Sequence, residues 1–154
     1  MIKILFVCHG NICRSPMAEF VMKDMALKHG LDGAVYVESA ATSTEEIGND
    51  IHYGTRSKLR AEGIPFSRRA ARQMTRADYD GFDYLIGMDR YNIANMTRIA
   101  GGDPKRKIYK LLDFTHRRGE DIADPWYTGN FDETYDDVVL GCRALLERIS
   151  DKDL

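Results

Sequence analysis

Val7-Cys8-His9-Gly10-Asn11-Ile12-Cys13-Arg14-Ser15-Pro16 decides how this chain is read. Before it, Ile2-Lys3-Ile4-Leu5-Phe6-Val7 is a short apolar run rich in β-branched and aromatic residues, the pattern of a buried strand. After it, Met17, Phe20, Val21 and Met25 recur at helical spacing. Ser15 offers an N-cap hydroxyl, and Pro16 suits the first helical position, where a missing N–H costs nothing. The stretch is therefore a strand-to-helix loop that begins with a cysteine and ends with an arginine. Gly10 permits a φ > 0 turn, and Asn11 is among the few other residues that tolerate one.

Such a loop binds anions. Successive backbone N–H groups beside the positive end of a helix attract an oxyanion, and the planar fork of Arg14 matches two of its oxygens. A thiol placed in that potential, here Cys8, is held as a thiolate, and Ser15 is placed to donate to it. A thiolate beneath a cradle for a dianion is a phosphoryl acceptor. The plain alternatives are a buried structural thiol at a strand end and a solvated first-turn cation. The second conflicts with the helix dipole, which disfavours positive charge in the first turn.

Along the chain, the first helix is expected to stop near Lys28-His29-Gly30, followed by a strand at Val35-Tyr36-Val37 that ends at Glu38-Ser39. Ala40 to Asp50 has no clean period and reads as a loop, and His52 to Glu62 as a modest helix. Thr75-Arg76-Ala77-Asp78 has the form of a capping box. Phe82 to Met88 is a third strand, a helix with Ile93, Met96 and Ile99 follows, and Lys107-Ile108-Tyr109 is a fourth strand. In the last helix Tyr135, Val138, Cys142, Leu145 and Ile149 share a face, which gives Cys142 a packing role. Strands alternating with helices imply an α/β fold: one domain over 1–154, a four-stranded parallel sheet with helices on both faces, and the phosphate loop after the first strand. The ligand site belongs outside the carboxyl ends of the strands, where Cys8, Ser39 and Asp89 would gather. The run Arg68-Arg69-Ala70-Ala71-Arg72 reads as a solvated face.

A chain of 154 residues makes one domain. A net charge of −2 argues against general nucleic-acid binding, and no apolar run approaches the ~18 residues of a membrane span. Three cysteines, one of them in a reactive loop, make no disulfide framework, so the reducing cytoplasm is the expected location.

The string Phe6 to Pro16 resembles the phosphate-binding loop of the low-molecular-weight protein tyrosine phosphatases. So do Glu38-Ser39-Ala40, Ala71-Arg72-Gln73, Asp83-Tyr84-Leu85-Ile86 leading to Met88-Asp89, and Asp124-Pro125-Trp126-Tyr127, in that order over nearly the whole chain. The resemblance implies hydrolysis of phosphotyrosine and small aryl phosphates through a cysteinyl-phosphate on Cys8, with Arg14 and no metal or cofactor. It makes Asp124 the general acid and then the base, although an Asp-Pro pair by itself is a common turn initiator. His9, Gly10, Asn11, Ile12, Cys13, Ser15, Ser39 and Asp89 would form or support the loop, and Trp126 and Tyr127 would wall the pocket. The implied partners are tyrosine-phosphorylated proteins or peptides, with inorganic phosphate as product. Cys13, on the same short loop, is placed to resolve an oxidised Cys8 as a disulfide.

Two departures from the family pattern stand out. An aromatic pocket wall is replaced by Thr44-Glu45-Glu46-Ile47-Gly48, which puts Glu45 and Glu46 against the pocket unless they face solvent and Tyr53 supplies the wall. Arg69 stands where relatives often carry a histidine. Four rival readings fit less well. Thiol-dependent arsenate reductases need relay cysteines, which Phe82 to Arg90 lacks. Protein-arginine phosphatases carry Thr where Ile12 stands, and a binding module gives Cys8 and Asp124 no purpose. A zinc site at Cys8 and Cys13 lacks further ligands.

Overall fold

β1 (Ile2–Cys8) lies in the middle of the sheet in the computed structural model, which describes residues 1–154. It pairs in parallel with β2 (Val35–Ala41) on one side and β3 (Tyr84–Gly87) on the other, and β4 (Ile108–Lys110) extends the sheet beyond β3. The strand order is β2-β1-β3-β4. From β1 the chain passes to one neighbour and later returns to the other, so the carboxyl end of β1 is a topological switch point. Cys8 is the last residue of that strand.

Alternation along β1 divides the core. Ile4, Phe6 and Cys8 face the larger cluster, with Met17 and Val21 of α1 (Arg14–Lys28) and Val138 and Leu145 of the C-terminal helix α6 (Phe131–Lys152). Leu5 and Val7 face the smaller one, with Tyr79 of α3 (Arg76–Gly81) and Met96 of α4 (Arg90–Ala100). Helices thus cover both faces, and α2 (Tyr53–Ala61) completes the larger layer. Thr75 and Asp78 form the expected capping box of α3.

Three boundaries differ from the sequence reading. The first helix begins at Arg14, so Pro16 is its third residue, and the N-cap, Cys13, makes no side-chain cap. Ser15 is not the cap because its N–H and hydroxyl both lie against Cys8 Sγ, at 3.4 and 3.0 Å. β2 runs two residues past Ser39, because Cys8 pairs with Ala41 and the N–H of Thr42 donates to the Cys8 carbonyl at 2.9 Å. Phe82 ends α3 rather than opening β3. Two short turns, Leu111–Phe114 and α5 (Pro125–Thr128), have no periodicity to announce them.

Candidate active site

The loop after β1 treats its two kinds of backbone group differently. Its carbonyls are tied to the scaffold: Cys8 and His9 accept from Thr42 and Ser43, Asn11 from Arg69, Ile12 from His52, and Cys13 from Thr55. Its N–H groups from His9 to Cys13 donate to no acceptor in the protein. Five unspent donors above the first turn of α1 make a concave anion site.

Asn11 sets the curvature at φ 59°, with its side chain inside the protein. Gly10 is not in the left-handed region; a Cβ there would lie a tight 3.3 Å from Glu46 Cγ, so Glu46 would have to shift by a few tenths of an ångström. The Asn11 amide is oriented by the N–H of Arg72, which donates to Oδ1 at 3.2 Å. Its Nδ2 therefore donates to Ser15 Oγ at 2.8 Å and Ser39 Oγ at 2.9 Å. Ser39 donates in turn to Glu19 Oε1 at 2.5 Å. With Asn11 donating to its oxygen, Ser15 has its own proton for Cys8 Sγ at 3.0 Å, the Ala40 carbonyl being farther at 3.5 Å. Glu19 is a member that the sequence reading lacks; its signal is a carboxylate set within the apolar run Pro16 to Met22.

Arg14 is buried, and its Nη1 donates to Asp89 Oδ2 at 2.7 Å and to the Ile122 carbonyl at 2.9 Å. Its Nη2 lies 3.4 Å from Asp124 Oδ2. Burial opposes the Arg14 charge, but Cys8, Asp124 and Asp89 outweigh it and push its pKa up. Asp89 and Asp124 each divide their oxygens. One oxygen faces Arg14, and the other caps a helix through Asn92 N at 2.8 Å or Trp126 N at 3.0 Å. The Asp124 segment is fixed from both sides, by Ile122 N on the Met88 carbonyl at 2.9 Å and Thr134 Oγ1 on the Ala123 carbonyl at 3.0 Å.

Cys8, Arg14, Asp124, Glu45, Trp126 and Tyr127 line one cleft of about 120 Å³, together with His9, Gly10, Ile12, Cys13 and Glu46. A larger groove of about 680 Å³ between α1 and α6 holds none of these groups. Both glutamates are thus on the cleft wall: Glu45 pairs with His9 Nε2 at 2.8 Å, and Glu46 accepts from Asn49 Nδ2 at 2.5 Å. Tyr53 is not in the cleft and stacks on His52 at 4.5 Å between ring centres.

The expected solvated face at Arg68 to Arg72 is corrected: only Arg68 and Ala70 are exposed. Arg69 reaches the carbonyls of Asn11 and Asn49, and Arg72 pairs with Asp78 at 2.9 Å. Burial lowers the pKa of Arg69, against the opposing charges of Glu19, Cys8 and Asp50. Burial likewise pushes the Cys13 thiol up to about 12, with Cys8 and Asp124 adding to it.

Trp126 rests on a ring stack. His52 meets it edge-on at 5.5 Å and stacks on Phe131 at 5.6 Å and 11°. The stack needs Gly54, because a Cβ there would overlap the Phe131 ring. Gly54→Ala is expected to cost about 1–3 kcal/mol by overpacking, seen as a lower Tm. It should also shift the emission of Trp126, the only tryptophan. An unchanged melting curve and spectrum would contradict this account of the wall.

Comparison with known proteins points one way. The profile of the family described as low molecular weight phosphotyrosine protein phosphatase matches residues 3–153. The low molecular weight protein-tyrosine-phosphatase YfkJ of Bacillus subtilis is 46% identical over 150 residues, which cover 97% of this chain and 96% of that protein. The crystal structure of YfkJ superposes with a TM-score of 0.96, covering 100% of this chain and 98% of the other at 44% identity. That of the low molecular weight protein tyrosine phosphatase SP-PTP from Streptococcus pyogenes gives 0.88 at 42% identity, covering 99% and 96%.

Proposed function

Because the chain belongs to the low molecular weight phosphotyrosine protein phosphatase family, we propose that it hydrolyses phosphotyrosine and small aryl phosphates by two displacements at Cys8. The observation that carries this reading is the sulfur of Cys8, held by Ser15 beneath five unspent N–H groups and beside Arg14. The Cys8 thiolate attacks phosphorus while the N–H groups and Arg14 hold the equatorial oxygens, where negative charge is spread in the transition state. Asp124 gives its proton to the departing phenolate oxygen. It then takes a proton from the water that attacks the phosphocysteine; the S–P bond breaks, Cys8 leaves as thiolate, and inorganic phosphate is released. Asp89 positions Arg14, and Ser39 and Asn11 position Ser15. No step calls for a metal or cofactor. The reading treats 1–154 as one catalytic domain and places it in the cytoplasm, where a nucleophilic thiol stays reduced.

Phosphate release from phosphotyrosine, phosphoserine and phosphoarginine peptides, assayed side by side, tests the proposal. Phosphotyrosine is expected to lead by at least about tenfold. Faster release from phosphoarginine or phosphoserine would overturn it.

The same loop would be redox-sensitive. Peroxide converts the Cys8 thiolate to a sulfenic acid with loss of hydroxide, and Cys13 thiolate then attacks that sulfur, expels a second hydroxide and closes a disulfide. Cys13 is a thiol at neutral pH, so closure is expected to speed up about tenfold per pH unit between pH 7 and 9. Dithiothreitol should restore activity to the native protein and less so to Cys13→Ala. Equal recovery would refute the protective role.

A further inference from the structure

The mouth of the cleft is charged the wrong way for a simple anion trap. Glu45 and Glu46 form one side of it. No lysine lines the cleft, and its one arginine, Arg14, is engaged by Asp89 and Asp124. Arg69 lies behind the loop, on the Asn11 carbonyl. Glu46 is held only by the neutral amide of Asn49, and Glu45, with 67% of its side chain exposed, pairs with the His9 ring. Trp126 and Tyr127 line the same cleft and are 57% and 83% exposed, so their rings are open at its mouth.

Carboxylates and open aromatic rings in one mouth are the two groups that hold an ammonium or guanidinium, by ion pairing and by cation–π attraction. The floor meanwhile keeps its N–H donors for phosphate. We propose that this mouth is a specificity surface for phosphotyrosine flanked by lysine or arginine, and that it turns away phosphotyrosine in acidic sequence. The proposal rests on the phosphatase reading above and goes beyond it by naming the substrate class. The physics is local: a flanking cation sits within a Debye length of two carboxylates, and a flanking carboxylate meets them as a like charge beside a phosphate that already brings about −1.5 to −2.

Three phosphotyrosine peptides that differ only in having Lys, Ala or Glu on both sides of the phosphotyrosine test it, with para-nitrophenyl phosphate as a substrate that has no flanks. In low salt the Lys peptide is expected to exceed the Glu peptide in kcat/KM by on the order of tenfold, mainly through KM. Glu45→Gln/Glu46→Gln should reduce that ratio to about twofold, each single change should fall between, and half-molar salt should flatten the ratio in the unmodified protein. Trp126→Leu should weaken the Lys peptide more than the Ala peptide. A ratio near one in the unmodified protein, or one that survives the double substitution, overturns the proposal. Loss of para-nitrophenyl phosphate hydrolysis in the unmodified protein would instead count against the phosphatase reading, so the two failures are distinguishable.

Discussion

Cys8→Ser is expected to lower kcat by at least about 10⁴-fold while leaving the anion site in place. Serine keeps a small polar atom at the end of β1, so the loop carbonyls, Asn11 and Arg14 retain the partners that shape the cradle. What is lost is a nucleophile that is anionic at working pH and can also leave the phosphoenzyme. Inorganic phosphate at a hundred times its Kd should still stabilise the variant by about 2.7 kcal/mol, or roughly 5–11 °C in Tm for a chain of this size. Native turnover in Cys8→Ser, or activity that depends on an added divalent metal, would end the proposed mechanism.

The second large effect is at Asp124, where two roles must be separated. Its Oδ1 caps α5 through the N–H of Trp126, and its Oδ2 faces Arg14. Asp124→Ala removes both, so a slower enzyme could reflect a displaced loop. Asp124→Asn keeps a good capping side chain, since Asn and Asp serve about equally as N-caps, but it has no proton to transfer. Asp124→Asn is therefore expected to keep a near-native Tm and still lose about 10²–10⁴-fold in kcat on phenyl phosphates with poor leaving groups. The loss should shrink as the leaving group improves, because a stable phenolate departs without protonation. A leaving-group dependence equal to that of the native protein would remove Asp124 from the reaction.

The strand and the loop that follows it are legible in the sequence because they rest on local pattern. A β-branched run before Gly10-Asn11 predicts the turn, and Asn11 does take the left-handed conformation. Gly10 does not share that conformation, and what crowds its position is the Glu46 side chain from a distant loop. Ser15 meets Cys8 as its place in the loop predicts but does not cap the helix, because the sulfur takes its hydroxyl. The arginines of the 68–72 run look solvated when counted as charge. Yet Arg69 and Arg72 are drawn inward by Asn11 and Asp78, partners at sequence separations no periodicity reports. Glu19 was missed for the same reason: its acceptor role exists only once β2 brings Ser39 alongside α1.

Carbonyls bonded to the scaffold and N–H groups left without acceptors make the loop after β1 a stretch where the chain withholds agreement with itself. The conflict is confined to a few residues and is held there by a scaffold whose other elements agree. It also sets a limit on improvement. Any substitution that gave those N–H groups an acceptor of their own, such as an acidic side chain folded into the cradle, would make the free protein more stable and the enzyme worse. Durability and turnover therefore pull this loop in opposite directions.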